Sequence, residues 1–269
     1  MILTLQHVGR RFAGRTGAVD ALVGVSFEVR AGERVAVLGP SGAGKTTLFG
    51  VLNTTLRPTA GCVRFEGQDV SALGRRELRA VRRRIGTVFQ QPRLVPSLTA
   101  LQNALTGRVG HWSNVEALRA AVRPAREDVR RAGVALDAVG LADRHHARAD
   151  ELSGGEQQRV SIARMLVQEP TVVLADEPLA SLDPALRSSI GELLLGAAAR
   201  AGTLVAVLHD VDFAVRHFPR LVGLAAGQVA FDLPTERVTA GQLERLYARD
   251  VPPEALPGEE LRDALAGIP

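Results

Sequence analysis

The chain has 269 residues, 46% hydrophobic and 23% charged, which excludes a largely disordered polymer and supplies a sizeable core in one or two domains. Its 33 basic and 29 acidic side chains leave a formal net charge of +4, too small an excess to mark a nucleic-acid binder by charge alone. A single cysteine, Cys62, excludes an internal disulfide and fits a reducing compartment.

The first seven residues lack a basic start followed by an apolar core, so no signal peptide is expected. Residues 25–29 (Val-Ser-Phe-Glu-Val) alternate as a half-buried strand does. Residues 34–38 form a continuous apolar run ending in Gly39-Pro40, a buried central strand feeding a turn. A helix follows from Lys45, with Leu48, Phe49, Val51 and Leu52 on one side. Residues 62–66 read as a strand, 71–84 as a basic amphipathic helix and 86–90 as a strand. From about 93 to 149 the strand signal gives way to Ala-, Arg- and Leu-rich helical spacing, an all-helical insertion. Strands return at 171–175 and 203–208, joined by a crossover helix marked by Leu186, Ile190, Leu193, Leu194 and Ala197. Residues 221–231 add two edge strands, and the tail after Val251 is rich in Pro, Gly and Glu. Alternating buried strands and helices predict an α/β fold with a mostly parallel central sheet. No apolar run approaches the roughly 18 residues that cross a bilayer, so any membrane role is expected to run through a partner.

Gly39-Pro40-Ser41-Gly42-Ala43-Gly44-Lys45-Thr46 fits the pattern G-x-x-x-x-G-K-[ST] between a predicted strand and a predicted helix, with Thr47 next in the chain. Glycines let successive N–H groups face a phosphate, and the helix N-terminus adds its positive end. Lys45 then reaches the β- and γ-phosphates and the Thr46 hydroxyl holds Mg²⁺. A Gly-rich turn that merely caps a helix is the plainer alternative. Of the 33 basic residues 32 are arginine, and Lys45 is the one lysine. A slim ammonium is kept where a forked guanidinium would not fit a backbone cradle. The same count leaves no lysine for the Asn-Lys-x-Asp element of a guanine-specific GTPase.

Asp176 and Glu177 stand just past the strand at 171–175, where ligands bind in open α/β sheets. Asp176 suits a metal and Glu177 suits a base that polarises water. Without the phosphate loop the pair would read equally as a solvated strand-end turn.

Leu152-Ser153-Gly154-Gly155-Glu156-Gln157-Gln158-Arg159 resembles the signature motif of ABC-transporter ATPases, usually Leu-Ser-Gly-Gly-Gln. The resemblance covers roughly residues 1–235. It implies a P-loop NTPase of ABC type, with an antiparallel β subdomain, a helical subdomain at about 93–158, and a separate tail at 236–269. Ser153 followed by Glu156 is also a capping-box pattern, and the Glu in place of Gln is expected to serve the cap, the alternative being a weaker phosphate contact. By the resemblance, Ser153, Gly154 and Gly155 meet the γ-phosphate of ATP held by a second subunit. Gln90 is similar to the glutamine that contacts Mg²⁺ and senses the permease. Ser181-Leu182-Asp183 is similar to the loop that crosses the dimer interface. His209 resembles the switch histidine at the γ-phosphate, and Phe12 the aromatic that stacks on adenine; it reads equally as a surface edge.

The implied function is ATP hydrolysis coupled to transport. It involves a homodimer of ATPase subunits at the cytoplasmic face of a membrane, a permease, and indirectly a solute-binding protein, with no nucleic-acid partner. Segments at 89–91, 105–111 and 177–184 are similar to phosphonate-importer ATPases, although none touches cargo. Phosphate, methionine or amino-acid import, export, and a soluble ABC ATPase acting on DNA or ribosomes are the alternatives. A small-molecule kinase would leave residues 152–159 without a task. The remaining candidates are structural in character. His145-His146 lack a spaced acid or Cys partner for a metal, and the arginines between 75 and 84 form a solvated helix face, with contact to lipid head groups as the alternative.

Overall fold

The computed structural model describes residues 1–14, 17–180 and 182–248. The chain divides into two compact units, Met1–Gly74 with Val205–Pro269, and Arg75–Leu204.

The first unit opens with a strand absent from the sequence-based expectations, β1 (Leu3–Gly14). Register shifts near Val8 and a left-handed His7 (φ 49°) break its alternation, which is why period-two reading passes over it. β2 (Gly17–Val29) starts eight residues before the expected strand, because its outer half is mostly exposed and its apolar residues, Val19, Leu22 and Val23, do not alternate with polar ones. β3 (Arg34–Leu38) and α1 (Lys45–Leu52) fall where the apolar runs put them. β4 (Ala60–Phe65) and β5 (Gln68–Asp69) complete an antiparallel sheet of order β2-β1-β4-β5.

In the second unit α2 (Arg75–Arg84) starts four residues later than expected. Asp69 Oδ1 accepts from the Ser71 N–H at 2.8 Å, a side-chain turn that competes with helix at 71. Arg79 is exposed, as a solvated helix face requires, and its guanidinium also donates to the carbonyls of Val109 (3.0 Å) and Trp112. β6 (Ile85–Phe89) ends one residue before Gln90. The insertion is helical as expected, with α3 (Ala100–Leu105), α4 (Asn114–Val122) and α5 (Arg126–Ala138). His145 does have an acidic partner, Asp137 at 2.8 Å, which the eight-residue spacing hid. Among the described residues no group of three or more His, Cys, Asp or Glu side chains could hold a metal.

α6 (Gly154–Gln168) is the axis of this unit; Val160, Ile162, Ala163 and Met165 are buried along it. Its last residue closes α2: Gln168 Nε2 donates to the carbonyls of Arg82, Arg83 and Ile85. β7 (Val172–Asp176) pairs with β6 in parallel, and α7 (Pro184–Ala201) follows.

The chain re-enters the first unit through β8 (Thr203–Val207), α8 (Val211–His217), β9 (Arg220–Ala225), β10 (Gln228–Pro234) and α9 (Ala240–Tyr247). Strand order there runs β10-β9-β3-β8, with β3 and β9 parallel and β9 and β10 antiparallel. Strands buried on both faces (Val35 to Leu38, Leu204 to Val207) explain the unbroken apolar runs. No helix among the described residues is long and apolar enough to cross a membrane. The tail after Val251 lies outside the described residues.

Candidate functional site

In the first unit β3 delivers the chain into the phosphate loop, and Gly44 ends that loop as the N-cap of α1, in a left-handed conformation at φ 99°. Close approach demands glycine at two points. A Cβ on Gly39 would collide with the Leu224 carbonyl oxygen, and one on Gly44 would stand 2.5 Å from that of Ala21. Backbone bonds fasten the loop: Gly227 N–H donates to the Ala43 carbonyl (3.0 Å) and Val23 N–H to the Gly227 carbonyl (2.8 Å). Among the described residues no side chain caps α1 and no acidic residue occupies its first turn. A glycine-rich entry to an uncapped helix start offers N–H donors and the positive dipole end to a phosphate.

Lys45 is 5% exposed. Its Nζ donates to the carbonyls of Gly39 at 2.7 Å and Pro40 at 2.9 Å. Burying an ammonium costs several kcal/mol unless it is hydrogen-bonded, and the loop's own carbonyls answer that need. Thr46 is exposed and Thr47 half-buried.

Two other expected residues belong to this unit. Phe12 lies on β1 opposite Val19, 36% exposed, with the Arg10 guanidinium 4.5 Å from its ring centroid. His209 is exposed just past β8. It follows Leu208, whose N–H donates to the Val37 carbonyl at 3.0 Å, and precedes Asp210, whose Oδ1 accepts from Phe213 N–H and caps α8. A strand end and a helix start thus fix its backbone on both sides.

The second unit holds the remaining residues. The parallel register pairs Phe89 with Asp176, so the next residues, Gln90 and Glu177, leave the same carboxyl end of β6 and β7. Glu177 is left-handed at φ 45° although it precedes Pro178. That combination is strained by sterics at a non-glycine residue before proline, and such strain persists only where neighbours over-determine it.

Ser153 is the N-cap of α6, and both halves of the capping box form. Glu156 Oε2 accepts from the Ser153 N–H and hydroxyl, each at 2.8 Å, while Glu156 N–H donates to Ser153 Oγ at 3.3 Å. The expected use of Glu156 as the cap partner is therefore realised. Its carboxyl is held below the usual carboxylate range, first by the Ser153 N–H, then by the hydroxyl, with Arg144 adding its positive charge. Gly155 is buried, and a Cβ there would stand 3.1 Å from Leu186 Cδ1 on α7. Gly154 is exposed. Asp183 caps α7 through Leu186 N–H (3.0 Å), with Pro184 in the first turn. Ser181 lies outside the described residues.

Two further residues carry no role expected from the sequence, although Gln158 lies within the segment that resembles the signature motif. Gln158, 2% exposed, donates from Nε2 to the Pro178 carbonyl (3.0 Å) and the Phe89 carbonyl (3.2 Å). Arg164, one further turn and a half along α6, donates to the carbonyls of Pro92 (2.8 Å) and Arg93 (3.0 Å). The advance signal for Gln158 was its polarity beside the apolar Ile162 and Met165 on one face of the helix.

An α/β scaffold that ends a buried strand in a phosphate loop, and a second parallel pair in adjacent carboxylates, is the construction of a P-loop ATPase. Residues 22–180, more than half of the chain, match the family model described as ABC transporter, and the chain belongs to that family. It is 49% identical over 246 residues to a "Phosphonates import ATP-binding protein PhnC" from Anaeromyxobacter dehalogenans, covering 91% of this chain but spanning only about half (48%) of that relative. It is 44% identical to a "Phosphonates import ATP-binding protein PhnC 1" from Cupriavidus necator, covering 91% of this chain and 88% of the relative. Among solved structures it resembles the dimeric post-hydrolysis state of the ATP-binding cassette MJ0796 bound to ADP and Pi. The TM-score is 0.76 at 32% identity, covering 87% of this chain and 98% of that one.

Proposed function

We propose that this chain is the ATP-hydrolysing subunit of a phosphonate importer, working as a homodimer on the cytoplasmic face of a membrane through a permease. The observation that carries the ATPase part is the buried Lys45 ammonium bonded to Gly39 and Pro40 at the uncapped start of α1. The cargo rests on relatives whose names specify phosphonate import over most of this chain.

In this reading Gly39 to Thr47 wrap the phosphates, Lys45 supplies charge to the β- and γ-phosphates, and Phe12 stacks on the adenine. Thr46, Asp176 and Gln90 are hydroxyl, carboxylate and amide oxygen donors, a hard-oxygen set that suits Mg²⁺, and we assign them to it. When bound, the ion offsets phosphate charge. Glu177 takes a proton from the attacking water, and His209 donates to the γ-phosphate. Ser153, Gly154 and Gly155 contact nucleotide held by the second copy, and Asp183 lies at that interface. The dimer of the MJ0796 cassette supports this arrangement. Exposed Val115 (78%), Leu118 (74%) and Val122 (87%) form one apolar stripe on α4, a surface suited to a permease loop. A periplasmic or surface solute-binding protein would deliver the cargo.

The test is growth. A strain lacking this chain should fail on a phosphonate as sole phosphorus source yet grow on inorganic phosphate, and the wild-type chain but not Glu177→Gln should restore it. Unimpaired growth on phosphonates, with loss of methionine or amino-acid uptake instead, would reassign the cargo.

A further inference from the structure

Resting on the ATPase reading above, we infer that Gln158 is a positioning residue that ties the Gln90 turn and the Glu177 turn to the signature helix through one buried amide.

The geometry is confined to the second unit. Gln158 stands on α6 five residues after Ser153, one and a half turns into the helix. Its Nε2 reaches the Phe89 carbonyl, immediately before Gln90, and the Pro178 carbonyl, immediately after Glu177. One NH₂ group has two hydrogens, and each finds a different turn. The side chain is 2% exposed, so water does not substitute readily for either bond.

Three features raise this above ordinary core satisfaction. The β6–β7 ladder ends at Phe89 and Asp176, and the amide carries a link between the two segments past that pair. Glu177 is strained, and the Pro178 carbonyl is the point at which Gln158 holds the strained turn in place. Arg164, on the same helix, donates to the Pro92 and Arg93 carbonyls and secures the far side of the Gln90 turn. The Arg93 guanidinium in turn lies 3.9 Å from the Phe89 ring centroid. A shift of α6 is thereby transmitted to the backbone on both sides of Gln90 and to the residue that follows Glu177. The buried amide is bonded to the Phe89 and Pro178 carbonyls, so it acts on hydrolysis through the placement of Gln90 and Glu177.

The test uses the full chain with Gln158→Leu, which removes both donors at similar volume, and Gln158→Met as a second variant. Two quantities are read: the dissociation constant of a fluorescent ATP analogue, and the single-turnover rate constant per bound ATP, which an unfolded fraction does not lower. The expected result is a dissociation constant within about 3-fold of wild type and a rate constant about 10-fold or more lower, since small misplacements of catalytic groups cost this much. In the Glu177→Gln background, Gln158→Leu should slow hydrolysis no further. A wild-type rate constant per bound ATP in either variant, alongside a silenced Glu177→Gln enzyme, overturns the role of Gln158. Full hydrolysis by Glu177→Gln itself overturns instead the reading on which it rests.

Discussion

Arg144 Nε lies 3.1 Å from Glu156 Oε1, placing a guanidinium against the one carboxylate in the capping box of the signature helix. The pair offsets the charge introduced where this family usually has glutamine. Arg144→Met should therefore raise the ATP concentration for half-maximal turnover by about 3-fold, and adding Glu156→Gln should reverse it; steady-state ATPase assays check both. The effect is modest because Arg144 is half-exposed and the pair is screened by solvent.

The same carboxylate gives α6 a pH response. Its folded-state pKa lies below the ordinary value of 4.5. The cap's contribution to stability is thus complete above about 4.5 and is lost as pH falls through the lower folded value. Glu156→Gln should flatten the acid limb of a melting-temperature profile below that pH, while leaving the neutral region little changed.

Lys45→Arg should weaken nucleotide binding by about 10-fold or more, equivalent to about 1.4 kcal/mol. The planar fork cannot occupy the space in which Nζ meets the Gly39 and Pro40 carbonyls at 2.7 and 2.9 Å. Equilibrium titration with ATP measures it, and unchanged affinity would remove Lys45 from the phosphate-binding role.

Glu177→Gln should lower turnover by about 10²-fold or more while ATP still binds within a few-fold of wild type, because a general base is lost and no phosphate contact is. Size-exclusion chromatography with ATP should then show an accumulated dimer. Steady-state hydrolysis near the wild-type rate would exclude Glu177 as the base.

Ser153→Ala should cost about 1 kcal/mol through the lost N-cap, seen as a lower melting temperature. Ser153→Phe should in addition abolish turnover while ATP affinity, measured at a protein concentration that keeps the chain monomeric, stays near wild type. Collapse of monomer affinity would contradict a contact made in trans.

The phosphate loop, the strand entering it and the signature helix were legible from residue order, because each depends on local rules. A parallel strand buried on both faces reads as a continuous apolar run, a side-chain N-cap is supplied by Ser, Thr, Asp or Asn, and a phosphate cradle is glycine-rich. Ser153 and Glu156 are three residues apart, and the box they form needs no tertiary information. β1 was not legible, because register shifts and a left-handed His7 erase its periodicity.

What only the tertiary structure decided is the pairing of distant segments. Gln90 and Glu177 are 87 positions apart in the chain, and only the Phe89–Asp176 register brings them to one end of a strand pair. Gln158 stood within the signature segment with no role of its own until folding laid the carbonyls of Phe89 and Pro178 against its amide. Spacing within a helix or strand is set by bond geometry along the chain. Hydrogen-bond partners across the core are set by packing, and packing depends on the whole set of side chains at once.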